Sequence, residues 1–244
     1  MIKAMEFTLF DGHLPLLQPA EGYRTALDPV LLAAAVNADR LAGAHILDLG
    51  CGIGTVGFCL MARFPCNVTG VDLQPELLQL AQKNAAKLSR QDDITFIESN
   101  VRDLQLEEVF DAVVTNPPYV EIGRGSPNRV DNRRMAHLES IPFFDWAKAA
   151  ARHLKQGGYF YIIHRADRLH DLLESLRRAE FGSFSVLPLY PRTGENTAKR
   201  VIISCRKRKY APLRLLQGLV LHEGQSYTDR VCDIIYRIQP LMID

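Results

Sequence analysis

The chain has 244 residues, with 29 Lys+Arg against 28 Asp+Glu, 47% hydrophobic and 23% charged residues, a composition that excludes a disordered or fibrous chain. A net charge of +1 leaves any affinity for polyanions to local clusters. No uncharged apolar stretch reaches the roughly 18 residues of a membrane-spanning helix, Met1–Glu6 lacks the charged-then-apolar pattern of a signal peptide, and a cytoplasmic, non-membrane protein is expected.

Residues 1–44 form an N-terminal extension whose most apolar run is Val30–Val36 behind a proline. From residue 45 short apolar runs alternate with helical patterns, the signature of a parallel sheet with crossover helices. His45–Leu49 reads as the first strand, followed by glycines and a helix through Arg63. Val68–Val71 is the second strand, closed by Asp72. Pro75 suits a first helical turn, and Leu77, Leu78, Ala81, Ala85 and Leu88 recur at helical spacing. Ile94–Ile97 and Ala112–Val114 read as strands three and four. The 22 residues from Val120 to Ile141 show no period, which marks a functional lid or a disordered segment. Phe143–Leu154 then predicts a helix stopped by Gly157-Gly158, Tyr159–Ile163 a fifth strand, and Asp167–Ala179 a helix with Leu169, Leu172, Leu173 and Leu176 on one face. Ser183–Leu189 and Val201–Cys205 pair as an antiparallel hairpin, and Val231, Ile234, Ile235 and Ile238 fit a short docked helix. No linker or repeat divides the chain. The expectation is one α/β domain: an open, mostly parallel seven-stranded sheet over residues 45–205, with helices on both faces and an antiparallel final strand, and a basic C-terminal extension over 206–244.

The five cysteines form no C-x-x-C pair and no His/Cys cluster has zinc spacing, so reduced, buried thiols and no metal are expected. Asp48-Leu49-Gly50-Cys51-Gly52-Ile53-Gly54 falls between the first strand and the first helix, where an open parallel sheet places its ligand. Glycines suit a tight turn that a ligand approaches closely. Asp72, at the end of the next strand, can accept hydrogen bonds from the two hydroxyls of a ribose. Because Gly52 to Gly57 is also a literal G-x-G-x-x-G, spacing alone leaves a nicotinamide dinucleotide and another nucleoside cofactor both open. Asp48, two residues before Gly50, completes the D-x-G-x-G-x-G form that resembles S-adenosylmethionine methyltransferases. That cofactor has an amino group for a carboxylate and no pyrophosphate to cradle.

Asn116-Pro117-Pro118-Tyr119 follows strand four. Two prolines cannot continue a ladder, and they hold the preceding residue extended, so the Asn116 amide and the Pro117 carbonyl are presented rigidly. Two fixed acceptors can grip a planar NH2 group and favour a pyramidal nitrogen whose lone pair faces an electrophilic methyl, a preorganised electrostatic effect. Tyr119 offers a face for a flipped base. Asn116, Pro117 and Tyr119 are therefore the candidate catalytic residues, working by in-line displacement without metal or covalent intermediate.

The combined motifs resemble the Rossmann-type amino-methyltransferases, over about residues 20 to 205. Gly22-Tyr23-Arg24-Thr25-Ala26-Leu27-Asp28 through Ala33 looks like the segment that covers the methionine end of the cofactor in bacterial tRNA adenine-N6 methyltransferases, which act beside the anticodon of a valine tRNA. The resemblance implies S-adenosylmethionine as cofactor, held by Tyr23, Arg24, Asp28, Asp48, Gly50, Gly52, Gly54, Asp72, Asn100 and Asn116. Asn100 stands where the family usually has an aspartate that binds the adenine. The implied substrate is RNA, tRNA in particular, with the amine of adenine as target. A protein glutamine methyltransferase of the release-factor type is the rival reading, expected to carry a helical substrate domain for which the 47 residues before Asp48 are too few. An rRNA base amino-methyltransferase and a non-catalytic RNA-binding scaffold are further alternatives.

Charge placement supports a polyanion partner. Between Arg192 and Arg214 there are eight Lys/Arg and one acid, whereas Asp72 to Asp111 holds nine acids against four bases. Lys199, Arg206, Lys207, Arg208 and Lys209, with Arg124, Arg129, Arg133 and Arg134 of the long loop, are the candidate RNA contacts, against the blander reading of a solvated charged face. Trp146 and Phe143-Phe144 read as core, and the seven histidines form no constellation.

Overall fold

The computed structural model describes residues 3–21, 25–118 and 141–244. An antiparallel hairpin of β1 (Ala4–Leu9) and β2 (Leu14–Pro19) leads to α1 (Asp28–Ala35) and the short α2 (Ala38–Leu41). Pro29 sits in the first turn of α1, where its missing N–H has no partner to lose, and Pro29 to Ala35 are buried. Then follow β3 (His45–Leu49), α3 (Thr55–Arg63), β4 (Asn67–Asp72), α4 (Pro75–Lys87), β5 (Ile94–Glu98) and β6 (Phe110–Thr115). Beyond residue 140 come α5 (Phe143–His153), β7 (Leu154–Arg165), α6 (Leu169–Arg178), β8 (Phe181–Arg192) and β9 (Arg200–Lys207). The chain continues through β10 (Arg214–Leu215), β11 (Leu219–Glu223), β12 (Ser226–Tyr227) and α7 (Asp229–Ile235).

The main sheet runs β12-β11-β8-β9-β7-β6-β3-β4-β5, with β10 beside β8. β5, β4, β3, β6 and β7 are parallel, and β9 is antiparallel between β7 and β8. These are the seven expected strands in the expected sense. Among the described residues the sheet nevertheless has ten strands, because β10, β11 and β12 extend it past β8. Strands of two and five residues are too short to print a period.

Two further expectations are corrected. The helix before strand five ends at His153, and Gly157-Gly158 lie inside β7 instead of stopping the helix. Gly157 takes a φ of +74° there, and a Cβ on Gly158 would stand 2.9 Å from the Asp111 carbonyl oxygen, so the pair lets a bent strand start press against β6. The C-terminal helix ends at Ile235, and Ile238 lies outside it with a φ of +58°. Arg63 explains the stop: its guanidinium donates to the carbonyls of Ile234, Ile238 and Gln239 at 3.0–3.1 Å. The Ile234 carbonyl would otherwise be orphaned at the helix end.

One core layer joins α1, α3 and α7 to one face of the sheet through Leu31, Leu60, Ile46 and Val231, and the other packs α5 and α6 on the opposite face through Trp146, Ala150, Leu172 and Phe160. Of the expected loop from Val120 to Ile141, residues 120–140 lie outside the described residues, and Ile141 is buried in the second layer.

Candidate active site

Parallel strands deliver their carboxyl ends to one edge, and register decides which side chains meet there. Leu49 of β3 pairs with both Val71 of β4 and Thr115 of β6, and Asp72 pairs with Glu98 of β5. The glycine turn, Asp72 and Asn116 therefore open on the same crevice. The turn is held down by Gly50 and Cys51, whose N–H groups both donate to the Val71 carbonyl at 2.8 and 3.0 Å. Gly50, Gly52 and Gly54 all have φ between +56° and +84°, a region that L side chains rarely enter. A Cβ on Gly50 would also come within 3.0 Å of the Trp146 ring, which floors the turn.

Asp48 is 1% exposed, and neither carboxylate oxygen accepts a hydrogen bond of normal geometry. Burial, reinforced by the charge of Asp72, outweighs the Gly57 N–H that faces it and pushes its carboxyl up to about 7. Asp72 is better served, accepting from the Gly52 N–H at 2.8 Å and the Gln74 N–H at 2.9 Å. Burial still raises its pKa against those amides. A carboxylate has about four acceptor sites, so two bonds to backbone leave room for a ribose.

Asp48 pairs with Val114, two residues before Asn116, so by strand alternation Asp48 and Asn116 face the same side on adjacent strands. Strand spacing and rise put them about 8 Å apart. Asn116 Oδ1 is likewise buried without a hydrogen-bond partner. Among the described residues these three atoms are the buried side-chain oxygens left unsatisfied, and they share one crevice. A fold seldom tolerates such groups unless something else binds them.

The remaining expected residues are distributed unevenly. Asp28 pairs with Arg200 at 3.1 Å, both side chains largely covered, and so ties the start of α1 to β9. Asn100, two residues past β5, accepts from the Arg102 N–H through its amide oxygen, which leaves one lone pair of that oxygen for a ligand. Pro117 is buried behind Asn116. Tyr23, Arg24, Tyr119, Arg124, Arg129, Arg133 and Arg134 lie outside the described residues. Lys199 precedes Arg200, which pairs with Arg165 at the end of β7, and so stands at the crevice edge. Arg206, Lys207, Arg208 and Lys209 are not brought to the crevice. Because β9 runs antiparallel, Arg206 is level with Tyr159 near the start of β7, at the other end of the sheet. Three of these four are already engaged: Arg206 donates to the Gly157 carbonyl, Lys207 to that of Leu154, and Arg208 pairs with Glu180.

Asn84 was not singled out by the sequence. It is fully buried, its Oδ1 accepts from the Leu17 N–H at 2.7 Å, and its Nδ2 donates to the carbonyls of Leu17 and Ile53 at 3.1 and 3.3 Å. One amide thus staples β2 to the glycine turn. The legible signal was a lone Asn among the apolar helical positions of α4. Thr25 and Thr55 make a second link, their hydroxyls 3.4 Å apart.

Residues 28–187 match the family model of the methyltransferase small domain. The chain belongs to this family. It is an S-adenosylmethionine-dependent methyltransferase. Among its relatives, a tRNA1(Val) (adenine(37)-N6)-methyltransferase of Glaesserella parasuis is 28% identical over 202 residues, 82% of this chain and 83% of that one. A release factor glutamine methyltransferase of Koribacter versatilis is 33% identical over 162 residues, 59% of this chain and 54% of that one. The fold matches a solved Agrobacterium tumefaciens structure, described as a predicted O-methyltransferase, with a TM-score of 0.69 at 24% identity over 87% of this chain and 97% of that one. The crevice fits the cofactor on chemical grounds: Asp48 is an acceptor lacking a donor, matching an ammonium group, Asp72 retains acceptor capacity for a ribose, and the glycines admit close approach.

Proposed function

We propose that the protein methylates N6 of an adenine in tRNA, the adenine beside the anticodon of a valine tRNA in particular. The observation that carries this reading is the buried, unpartnered Oδ1 of Asn116 on the same face as the unpartnered carboxylate of Asp48. An acceptor held rigid by two prolines asks for a donor, and an exocyclic amine is a donor of the right kind. The relatives' printed names support tRNA adenine as the bearer of that amine.

When bound, S-adenosylmethionine supplies an electrophilic methyl on a sulfonium. The chain's own residues position and polarise. Asp48 holds the ammonium end, Asp72 the ribose, and Asn116 with the Pro117 carbonyl accepts from both hydrogens of the target amine. Those hydrogen bonds draw the lone pair out of conjugation and aim it across the roughly 8 Å between the Asp48 and Asn116 positions. Much of the rate would come from this positioning, as two bound reactants become effectively one.

The test is incubation with labelled cofactor and separated tRNA, rRNA and protein fractions, followed by nucleoside analysis. N6-methyladenosine in tRNA is expected. Label confined to glutamine in protein would establish the release-factor-type reading instead, and label confined to rRNA would move the substrate. Within the site, Asn116→Ala should lower kcat about 10²–10³-fold while leaving cofactor affinity intact, because the lost acceptor serves the amine. Full turnover in that variant would remove Asn116 from catalysis.

A further inference from the structure

At the end of the sheet opposite the crevice, the last turn of α6, the start of β8 and the segment after β9 enclose a cleft of about 240 Å³. Its floor is apolar, made by Leu173, Phe181 and Phe184. One wall is Tyr210, which is 73% exposed yet seated closely: a Cβ on Gly182 would stand 2.5 Å from its ring and 2.4 Å from the Lys209 carbonyl. Gly182 thus leaves room for the inner part of the ring while most of the residue faces solvent. Arg177 stands on the rim, and Lys209 precedes Tyr210. Among the described residues neither cation has an ion-pair partner, whereas Arg208 beside them is balanced by Glu180. Arg206 and Lys207 add positive charge from behind, their side chains fixed on the carbonyls of Gly157 and Leu154.

A flat exposed aromatic, an apolar floor and two unbalanced cations make up the chemistry of a nucleotide seat: stacking for the base and charge for the phosphates. We infer that this cleft is a second RNA-binding site, which holds an unpaired nucleotide of the substrate RNA at a distance from the reacting base. The inference rests on the RNA reading of the active site. Gly182 is level with Arg206 and so with Tyr159, about four residues of strand rise below Asn116, and β8 lies three strands from β6. Strand geometry therefore separates the cleft from Asn116 by about 20 Å. An RNA engaging both places has to extend well beyond its target base, so the cleft selects for a folded RNA over a short fragment.

The experiment compares wild type, the triple variant Arg177→Gln/Lys209→Gln/Tyr210→Ala, and Tyr210→Phe on full-length tRNA and on a short stem–loop carrying the same target adenine. RNA binding is measured alongside as a function of salt. For the triple variant we expect KM for full-length tRNA to rise about tenfold, kcat and cofactor affinity to stay unchanged, and the log-log salt slope to fall by about 1.4–1.8 for two lost phosphate contacts. The short stem–loop should be indifferent, and Tyr210→Phe, which keeps the stacking face, should behave as wild type. An unaltered KM and salt slope in the triple variant, with tRNA methylated normally, would overturn the cleft and leave the active-site reading standing. If wild type modifies protein but no RNA, the active-site reading falls. Direct RNA binding then decides the cleft separately: weakened binding in the triple variant supports it, and unchanged or absent binding refutes it.

Discussion

Replacing Asp48 by Asn offers a test in which stability and binding move in opposite directions. The carboxyl is buried with no donor in normal hydrogen-bond geometry, and burial with the Asp72 charge outweighs the Gly57 N–H and pushes its pKa from 3.8 to about 7. Between those values the folded, cofactor-free protein holds a proton that the unfolded chain has released, so stability falls as pH rises through that window. Three pH units at about 1.4 kcal/mol each set an upper bound of roughly 4 kcal/mol on the cost at pH 8. The Asn amide removes the charge but stays buried and unpaired, which restores about 1–3 kcal/mol of that cost. Asp48→Asn should therefore gain about 1–3 kcal/mol at pH 8, several degrees in Tm at about 2–4 °C per kcal/mol for a chain of this size. The gain should shrink as pH is lowered toward 4. The same variant should lose most of the cofactor-induced stabilisation, which for wild type is about 2.7 kcal/mol at a hundredfold excess over Kd. Thermal scans at several pH values, with and without S-adenosylmethionine, read both effects. A variant no more stable than wild type at pH 8, with its cofactor shift intact, would show that Asp48 is neither strained nor a ligand.

Other substitutions follow from the same geometry. Asn84→Ala strands the Leu17 N–H and the carbonyls of Leu17 and Ile53, and should cost about 2–4 kcal/mol in urea unfolding while weakening cofactor binding through the loosened turn. Gly50→Ala combines a left-handed backbone with a contact at 3.0 Å from Trp146, so we expect a loss of about 1–2 kcal/mol and a raised cofactor Kd by calorimetry. Asp72→Ala removes the acceptor for Gly52 and Gln74 and should abolish measurable cofactor binding before it unfolds the protein; retained affinity would place the ribose elsewhere.

Where the structure agrees with the sequence, side-chain period or backbone chemistry forced the answer. The strands from β3 to β9 are buried and carry the apolar runs that mark them, and Asp48, Asp72 and Asn116 could be placed because each is tied to a strand end. The N-terminal hairpin was only half legible, for the converse reason. β1 is exposed along most of its length, so no alternation marks it as a strand, and the one signal is its turn, where Asp11-Gly12 is an Asp-Gly pair with both residues at positive φ. The basic run from Arg206 to Lys209 shows a different limit. Composition reports that charge is concentrated, but which end of the sheet receives it depends on the direction of β9 between β7 and β8, and that is a property of topology.

The way α7 is fastened has a bearing on how the chain acquires its binding competence. Leu241 donates its N–H to Ala34, Asp244 accepts from Tyr161, and Arg63 grips the end of α7, contacts that join residues more than 80 positions apart. Val231, Ile234 and Ile243 complete the same apolar layer that seats α1 and α3 under the glycine turn. A nascent or truncated chain ending near residue 215 would hold every residue assigned to the cofactor and still lack a wall of the layer that keeps them in register. Lesions in the last 25 residues should therefore surface as slow maturation and weak cofactor retention, and a screen for binding defects would recover them although none of these residues is assigned to the ligand.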